Sequence, residues 1–208
     1  MTRARDLANR TVRDGSVDTA QLVADAVDNT ILDLADNFAF TGTVTGAGGY
    51  TQGTKVSPTS GSTVDFTGIP SDVKVIHILF NELDMSGAGW NVVQLGDSGG
   101  FETTGYTSAV GYPGSGNSYY ANSAADNTGC KFFYQGTTKH SGFVTIMRMS
   151  SDQTQWVMWS RCHAAEGGSY STYSAVEKTL SAALTQIRIT NQGSVTFVAG
   201  DINILYTS

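Results

Sequence analysis

Val73-Lys74-Val75-Ile76-His77-Ile78-Leu79-Phe80 is apolar on both of its alternating sets of positions, with Ile76, Ile78 and Phe80 on one and Val73, Val75 and Leu79 on the other. Successive side chains of an extended chain point to opposite faces, so the segment reads as a central strand between two layers. His77, inside it, reads as a hydrogen-bonded core histidine rather than a ligand. Similar runs lie on either side. The body begins near Val64-Asp65-Phe66-Thr67-Gly68-Ile69-Pro70. After a Gly-rich bend at residues 86–89 come Asn91–Leu95, Lys131–Tyr134, Gly142–Met149 and Gln155–Ser160. Gln186–Thr190, Ser194–Val198 and Asp201–Tyr206 close the chain, with Asn191-Gln192-Gly193 and Ala199-Gly200 expected to separate them as tight hairpins. At least eight short strands predict a mainly β fold, an antiparallel β-sandwich of jelly-roll-like type.

Composition agrees. Of 208 residues only 14% are charged, while Gly supplies 24 and Pro 3, a balance that excludes collagen, a coiled-coil rod and a charged disordered tail. Eighteen acidic against twelve basic side chains give a net charge of −6. Without a run of Lys or Arg there is no footprint for nucleic acid or anionic lipid. No apolar stretch reaches the roughly 18 residues of a membrane span, and the first residues lack the apolar core of a secretory signal. The expectation is a protein made in a cytoplasm, with no nucleic-acid partner and no membrane insertion.

Residues 1 to about 45 differ from the rest. They hold no Trp or Tyr, and a loose motif recurs every 10 to 11 residues at Val12–Val17, Leu22–Val27 and Leu32–Phe38, as in stacked turns or short helical pieces of a shaft. Leu22, Val23, Val27, Ile31, Leu34 and Phe38 can form one apolar stripe. A stripe that cannot bury itself needs a partner, another copy of the chain or the chain's own body. Residues 41–62 are Gly- and Thr-rich linker.

Residues 96–129 resist assignment as strands, being rich in Gly, Ser, Asn and Tyr; a second such stretch is 166–174. Long loops of this kind tend to be functional, and Tyr among small polar residues suits adaptable recognition. Catalytic chemistry has weaker support. The acid pairs Glu82 with Asp84 and Asp97 with Glu102, and Glu166 near His163, read as solvated strand ends. His140 reads as exposed in a turn beside Lys139. Cys130 and Cys162 read as free, partly buried thiols. No metal-ligand spacing is present, no cofactor is implied and no enzyme is expected. Trp156 and Trp159 read as core or subunit contact.

In the order in which they occur, Asp65-Phe66-Thr67-Gly68-Ile69-Pro70 through Phe80, Val93-Gln94-Leu95-Gly96-Asp97-Ser98, Thr104-Gly105-Tyr106 and Phe197 through Tyr206 resemble the C-terminal domain of phage tail-fibre and minor structural proteins. Arg3-Ala4-Arg5-Asp6-Leu7-Ala8 resembles the short attachment peptide at the start of some phage fibre proteins, and points to Arg3, Arg5, Asp6 and Leu7 as the residues that join the virion. The resemblance implies a virion component, expected as a homotrimer, that mediates attachment to a host cell-surface glycan or protein. The division expected is 1–15 for attachment to other virion proteins, 16–45 for a short extended or helical stalk and 46–208 for the head. Sugar faces stack on Trp and Tyr, which makes Trp90, Tyr106, Tyr112, Tyr119, Tyr120, Tyr170 and Tyr173 the candidate platform. Forty-odd residues span at most about 150 Å fully extended. So short a shaft keeps open a second expectation, a fibre or decoration protein standing on the capsid.

Overall fold

The structure, a computed structural model, describes residues 49–113, 119–123, 128–135, 138–164 and 171–207. The expected attachment peptide and stalk, the stripe from Leu22 to Phe38, and Tyr170 lie outside the described residues. Thirteen strands form among the described residues: β1 (Thr51–Gln52), β2 (Thr63–Thr67), β3 (Val75–Met85), β4 (Gly89–Asp97), β5 (Gly100–Phe101), β6 (Tyr106–Pro113) and β7 (Tyr119–Ser123). β8 (Cys130–Gln135), β9 (His140–Arg148), β10 (Gln155–Ala164), β11 (Ser171–Thr179), β12 (Gln186–Asn191) and β13 (Phe197–Thr207) complete the set.

They make two antiparallel sheets in a β-sandwich-like arrangement. The larger runs β1-β13-β3-β9-β10-β11-β6-β7, and the smaller β2-β12-β4-β5 with β8 also on β4. Strand β10 shows why the layers form. Trp156, Met158, Ser160, Cys162 and Ala164 are buried on one face, whereas Gln155, Trp159, Arg161 and His163 are exposed on the other. Ile76, Ile78, Val144, Ile146 and Met158 from the larger sheet share one core with Val93, Leu95, Ile187 and Ile189 from the smaller. Phe132 and Phe133 are consecutive and both buried. A register shift opposite Asn91 and Val92 leaves Phe132 unpaired, and such a bulge turns neighbouring side chains to one side. The Phe80 and Phe132 rings stack at 4.3 Å, as do those of Phe133 and His140.

Four expectations are corrected here. Much of 96–129 is strand, because β5, β6 and β7 lie in it, and Ser171–Ser174 opens β11. Inward positions of β11 are Thr172, Ser174, Val176 and Lys178, so polar side chains bonded inside the core hide its alternation from hydropathy. Ala199-Gly200 is a bulge within the single strand β13, where the register against β3 shifts, and not a hairpin. Asn191-Gln192-Gly193 likewise makes no hairpin, because β12 and β13 belong to different sheets; the Gly193 amide donates to Asn191 Oδ1 at 2.6 Å. His140 is 0% exposed and sits between aromatic rings.

Candidate functional site

The two sheets present unlike surfaces to solvent. On the smaller sheet Arg188 makes two 2.8 Å hydrogen bonds to the Asp65 carboxylate and lies 4.0 Å from the Phe101 ring centre. Thr190 donates to the Ser62 carbonyl and Gln94 to the Thr128 carbonyl. This part of the exterior is polar and internally bonded, while Trp90 and the exposed Tyr134 stand elsewhere on the same sheet.

The exterior of the larger sheet mixes large apolar side chains with polar ones, and strand register sets them in rows. Asn203, Leu79, Phe143, Arg161, Tyr173 and Gly111 are successive cross-strand partners from β13 to β6. The next row is Leu205, His77, Thr145, Trp159, Ala175 and Ala109, and the third is Thr207, Val75, Met147, Val157, Glu177 and Thr107. Leu79, Phe143 and Met147 are exposed, Trp159 is 39% exposed and Tyr173 50%. Arg161 and Glu177 are the only charged side chains in the three rows. Beside the Trp159 ring a depression of about 440 Å³ is lined by Val157, Ala175, Ala109, Thr107 and Glu177. Gly111 leaves room for the Tyr173 ring, since a Cβ there would lie 2.5–2.7 Å from it.

His77 belongs to this outer face rather than to the core. Its Nδ1 is 2.9 Å from Thr145 Oγ1 and its Nε2 is 3.3 Å from the Tyr50 hydroxyl, so it is hydrogen-bonded as expected but half-buried. Of the two tryptophans in β10, Trp156 is core and donates Nε1–H to the Gln153 carbonyl at 2.7 Å.

The candidate platform residues do not converge. Tyr106 is 3% exposed, and burial raises its hydroxyl above the usual phenol range; its ring is enclosed in the core and offers no stacking face. Tyr112 pairs with Tyr120, and Pro113 with Tyr119, along the backbones of β6 and β7. Trp90 is half-buried on the other sheet, edge-on to Tyr134 at 5.3 Å, with the Lys131 ammonium 5.5 Å from its ring centre. Tyr173 stands in the rows of the larger sheet. The reading of residues missed Tyr134, Leu79, Phe143 and Met147. The signal for the last three was present, since residues 73–80 and 142–149 are apolar on both faces.

Of the acid pairs, Asp97 and Glu102 make structural bonds, and Glu166 lies outside the described residues. Asp97 Oδ2 accepts from Ser181 Oγ at 2.6 Å and from the Ala182 amide at 2.8 Å, and Glu102 Oε1 accepts from the Ser181 amide at 2.7 Å. Both carboxyls are held below their ordinary range. For Asp97 the Ser181 hydrogen bond leads. For Glu102 burial opposes the shift and is outweighed by Lys178, 2.5 Å away, together with Ser181. Glu82 lies 3.8 Å from the Lys139 ammonium. Cys130 and Cys162 are free and buried, and burial pushes each thiol up to about 12. Among the described residues no group of three or more His, Cys, Asp or Glu is placed to hold a metal ion, and no helix is long and apolar enough to cross a membrane. Comparison with protein-family models, with curated proteins and with solved structures finds no match.

Proposed function

We propose that this chain is a structural protein of a phage particle, a short tail-fibre-like homotrimer that attaches the particle to a host cell surface. In this reading residues 1–15 join other virion proteins, 16–45 form a threefold stalk, and the body is a jelly-roll-like head carried on the exterior of the virion. Its role is binding, with no catalytic step.

One observation carries the reading: the outer face of the larger sheet exposes Leu79, Phe143, Met147, Trp159 and Tyr173 from four neighbouring strands. Large apolar side chains gathered on one exposed face mark a surface suited to contact with something else. A weak host contact repeated on three copies and on many fibres yields strong adhesion through effective concentration. One acid pair that a glycan-cleaving spike could use, Asp97 with Glu102, is bound up in holding Ser181.

Electron microscopy of intact virions labelled with an antibody against residues 46–208 tests the proposal. Label at the tail end is the expected result. Label scattered over the capsid replaces it with the capsid-mounted fibre or decoration protein, and particles without label overturn both.

A further inference from the structure

We infer that a trough along β11, between the side chains of β10 and β6, binds a neutral linear glycan, with the Trp159 ring as its stacking wall. The inference rests on the host-binding role proposed above and names the ligand class and the residues that meet it.

Shape comes first. The depression beside Trp159 is one of three that run together over β10, β11 and β6. It shares Ala109 and Ala175 with one of about 210 Å³ beside Tyr173, and Thr107 and Glu177 with one of about 310 Å³ that reaches Gln155. Joined, they follow β11 from Tyr173 to Thr179, which at the rise of a strand is about 20 Å. Small side chains at Ala109 and Ala175 keep the floor low, the Tyr173 ring stands against Gly111 at one end, and Trp159 walls the middle. A trough of this length suits an extended chain lying in it rather than one compact molecule.

Chemistry comes second. At the end away from Tyr173, four exposed polar side chains from three strands line the trough: Thr107 of β6, Glu177 and Thr179 of β11 and Gln155 of β10. None of the four side chains bonds to another protein group among the described residues. On the smaller sheet, by contrast, Arg188, Asp65 and Gln94 spend their capacity on the protein itself. A sugar ring has an apolar C–H face that stacks on an aromatic ring and hydroxyls around its rim that need donors and acceptors. An indole beside an unspent carboxylate, amide and two hydroxyls supplies both.

The backbone selects against an extended peptide. A peptide brings a donor and an acceptor at nearly every residue, and strand addition satisfies them at the edge of a sheet. Strands β10, β11 and β6 already pair with one another along the trough, so their main chains offer no ladder on this face. A glycan needs none, because hydroxyls turned away from the trough stay in water.

Charge selects a neutral glycan over an acidic one. Glu177 lines two of the three depressions, no cation is bonded to it among the described residues, and the whole chain carries a net charge of −6. A carboxylate or phosphate on the sugar would be repelled there.

The test applies the full chain to an array of immobilised bacterial polysaccharides that includes neutral and acidic members. Binding to at least one neutral member is expected. Trp159→Ala and Glu177→Ala should each weaken it about tenfold with unchanged circular dichroism spectra, while Tyr134→Ala, on the other sheet, leaves it unchanged. Hydroxyl-radical footprinting supplies a readout that needs no variant: the bound polysaccharide should protect Trp159 and Tyr173 and leave Tyr134 reactive. Binding to no member, binding to acidic members alone, or Trp159 reacting equally with and without polysaccharide overturns the inference. Adhesion to bacterial cells that survives periodate and is abolished by protease overturns it in favour of a protein partner. The array is blind to the particle and virion labelling is blind to the trough. Label at the tail end with a silent array therefore fells the trough alone, and unlabelled particles with the expected array result fell the virion reading alone.

Discussion

The hydroxyl of Tyr106 takes the place of a strand partner for Leu95, accepting its amide at 2.7 Å. β12 pairs with one edge of β4 without interruption, so β8 and β5 share the other, β8 along Gly89–Val93 and β5 at Gly96 and Asp97. Leu95 falls in the gap between them. The Tyr106 hydroxyl fills it and donates to the Glu102 carbonyl at 2.9 Å, while the Glu102 amide donates to the Leu95 carbonyl.

Tyr106→Phe therefore leaves a buried amide without an acceptor. A loss of about 1–3 kcal/mol is expected, the cost of an unsatisfied buried donor. Urea unfolding should show a lower midpoint at an unchanged slope. An unchanged midpoint would deny the hydroxyl its structural role.

The bulge in β13 makes a second prediction. Gly200 has φ +103, and a Cβ there would lie 2.5 Å from Leu83 Cα and 2.6 Å from the Glu82 carbonyl. Both obstacles are backbone, so Gly200→Ala should cost more than about 3 kcal/mol, combining strain with overpacking. Gly61 has φ +77 but open space around it, so Gly61→Ala should cost only the left-handed penalty of about 1–2 kcal/mol. Thermal unfolding of the two variants side by side measures the difference.

Acid should weaken the fold in two stages. Asn91 Nδ2 donates to His140 Nε2 at 3.2 Å, which requires a neutral ring, and burial drives the His140 pKa down to about 3. An unfolded histidine takes up its proton near pH 6.5, so unfolding binds a proton that the folded state refuses. Stability from this group is whole above about pH 6.5 and declines as pH falls toward about 3. Asp97 and Glu102 are depressed carboxyls, so their contribution is present above their ordinary values near 4 and is lost below them. Proton NMR should find no His140 titration down to about pH 4. Asp97→Asn should flatten the pH dependence of stability only in the lower stage.

The thiols supply a fourth test. With both pushed up to about 12 by burial, neither ionises near neutrality, and the thiolate is the reactive form. A chromogenic disulfide reagent should find no reactive thiol in the folded chain and two on denaturation. Rapid reaction of either in the folded state would contradict its burial.

The strands legible in the chain were those whose inward positions are aliphatic or aromatic, such as β3, β9, β10 and β12. β6 and β11 were not, because their inward sets include Ser108, Thr172, Ser174 and Lys178, all buried. Thr172 donates to the Phe132 carbonyl at 2.5 Å and Ser160 meets Ser174 at 2.8 Å. Such bonds join residues far apart in sequence, and hydropathy carries no record of them. His140 went astray for the same reason, since a polar side chain beside Lys139 looks solvated until Asn91 and Phe133 are placed around it.

Sequence by itself determined that the body is mainly β, because period-two alternation is a local property of an extended chain. It also showed that residues 73–80 and 142–149 are apolar on both faces. Only the tertiary structure decided which face is inside, putting Trp156 in the core and Trp159 at the surface, since two faces of one strand are equivalent until a second sheet covers one of them. The rows on the uncovered side exist through the register of six strands drawn from residues 75 to 207, and that register is set by long-range backbone pairing.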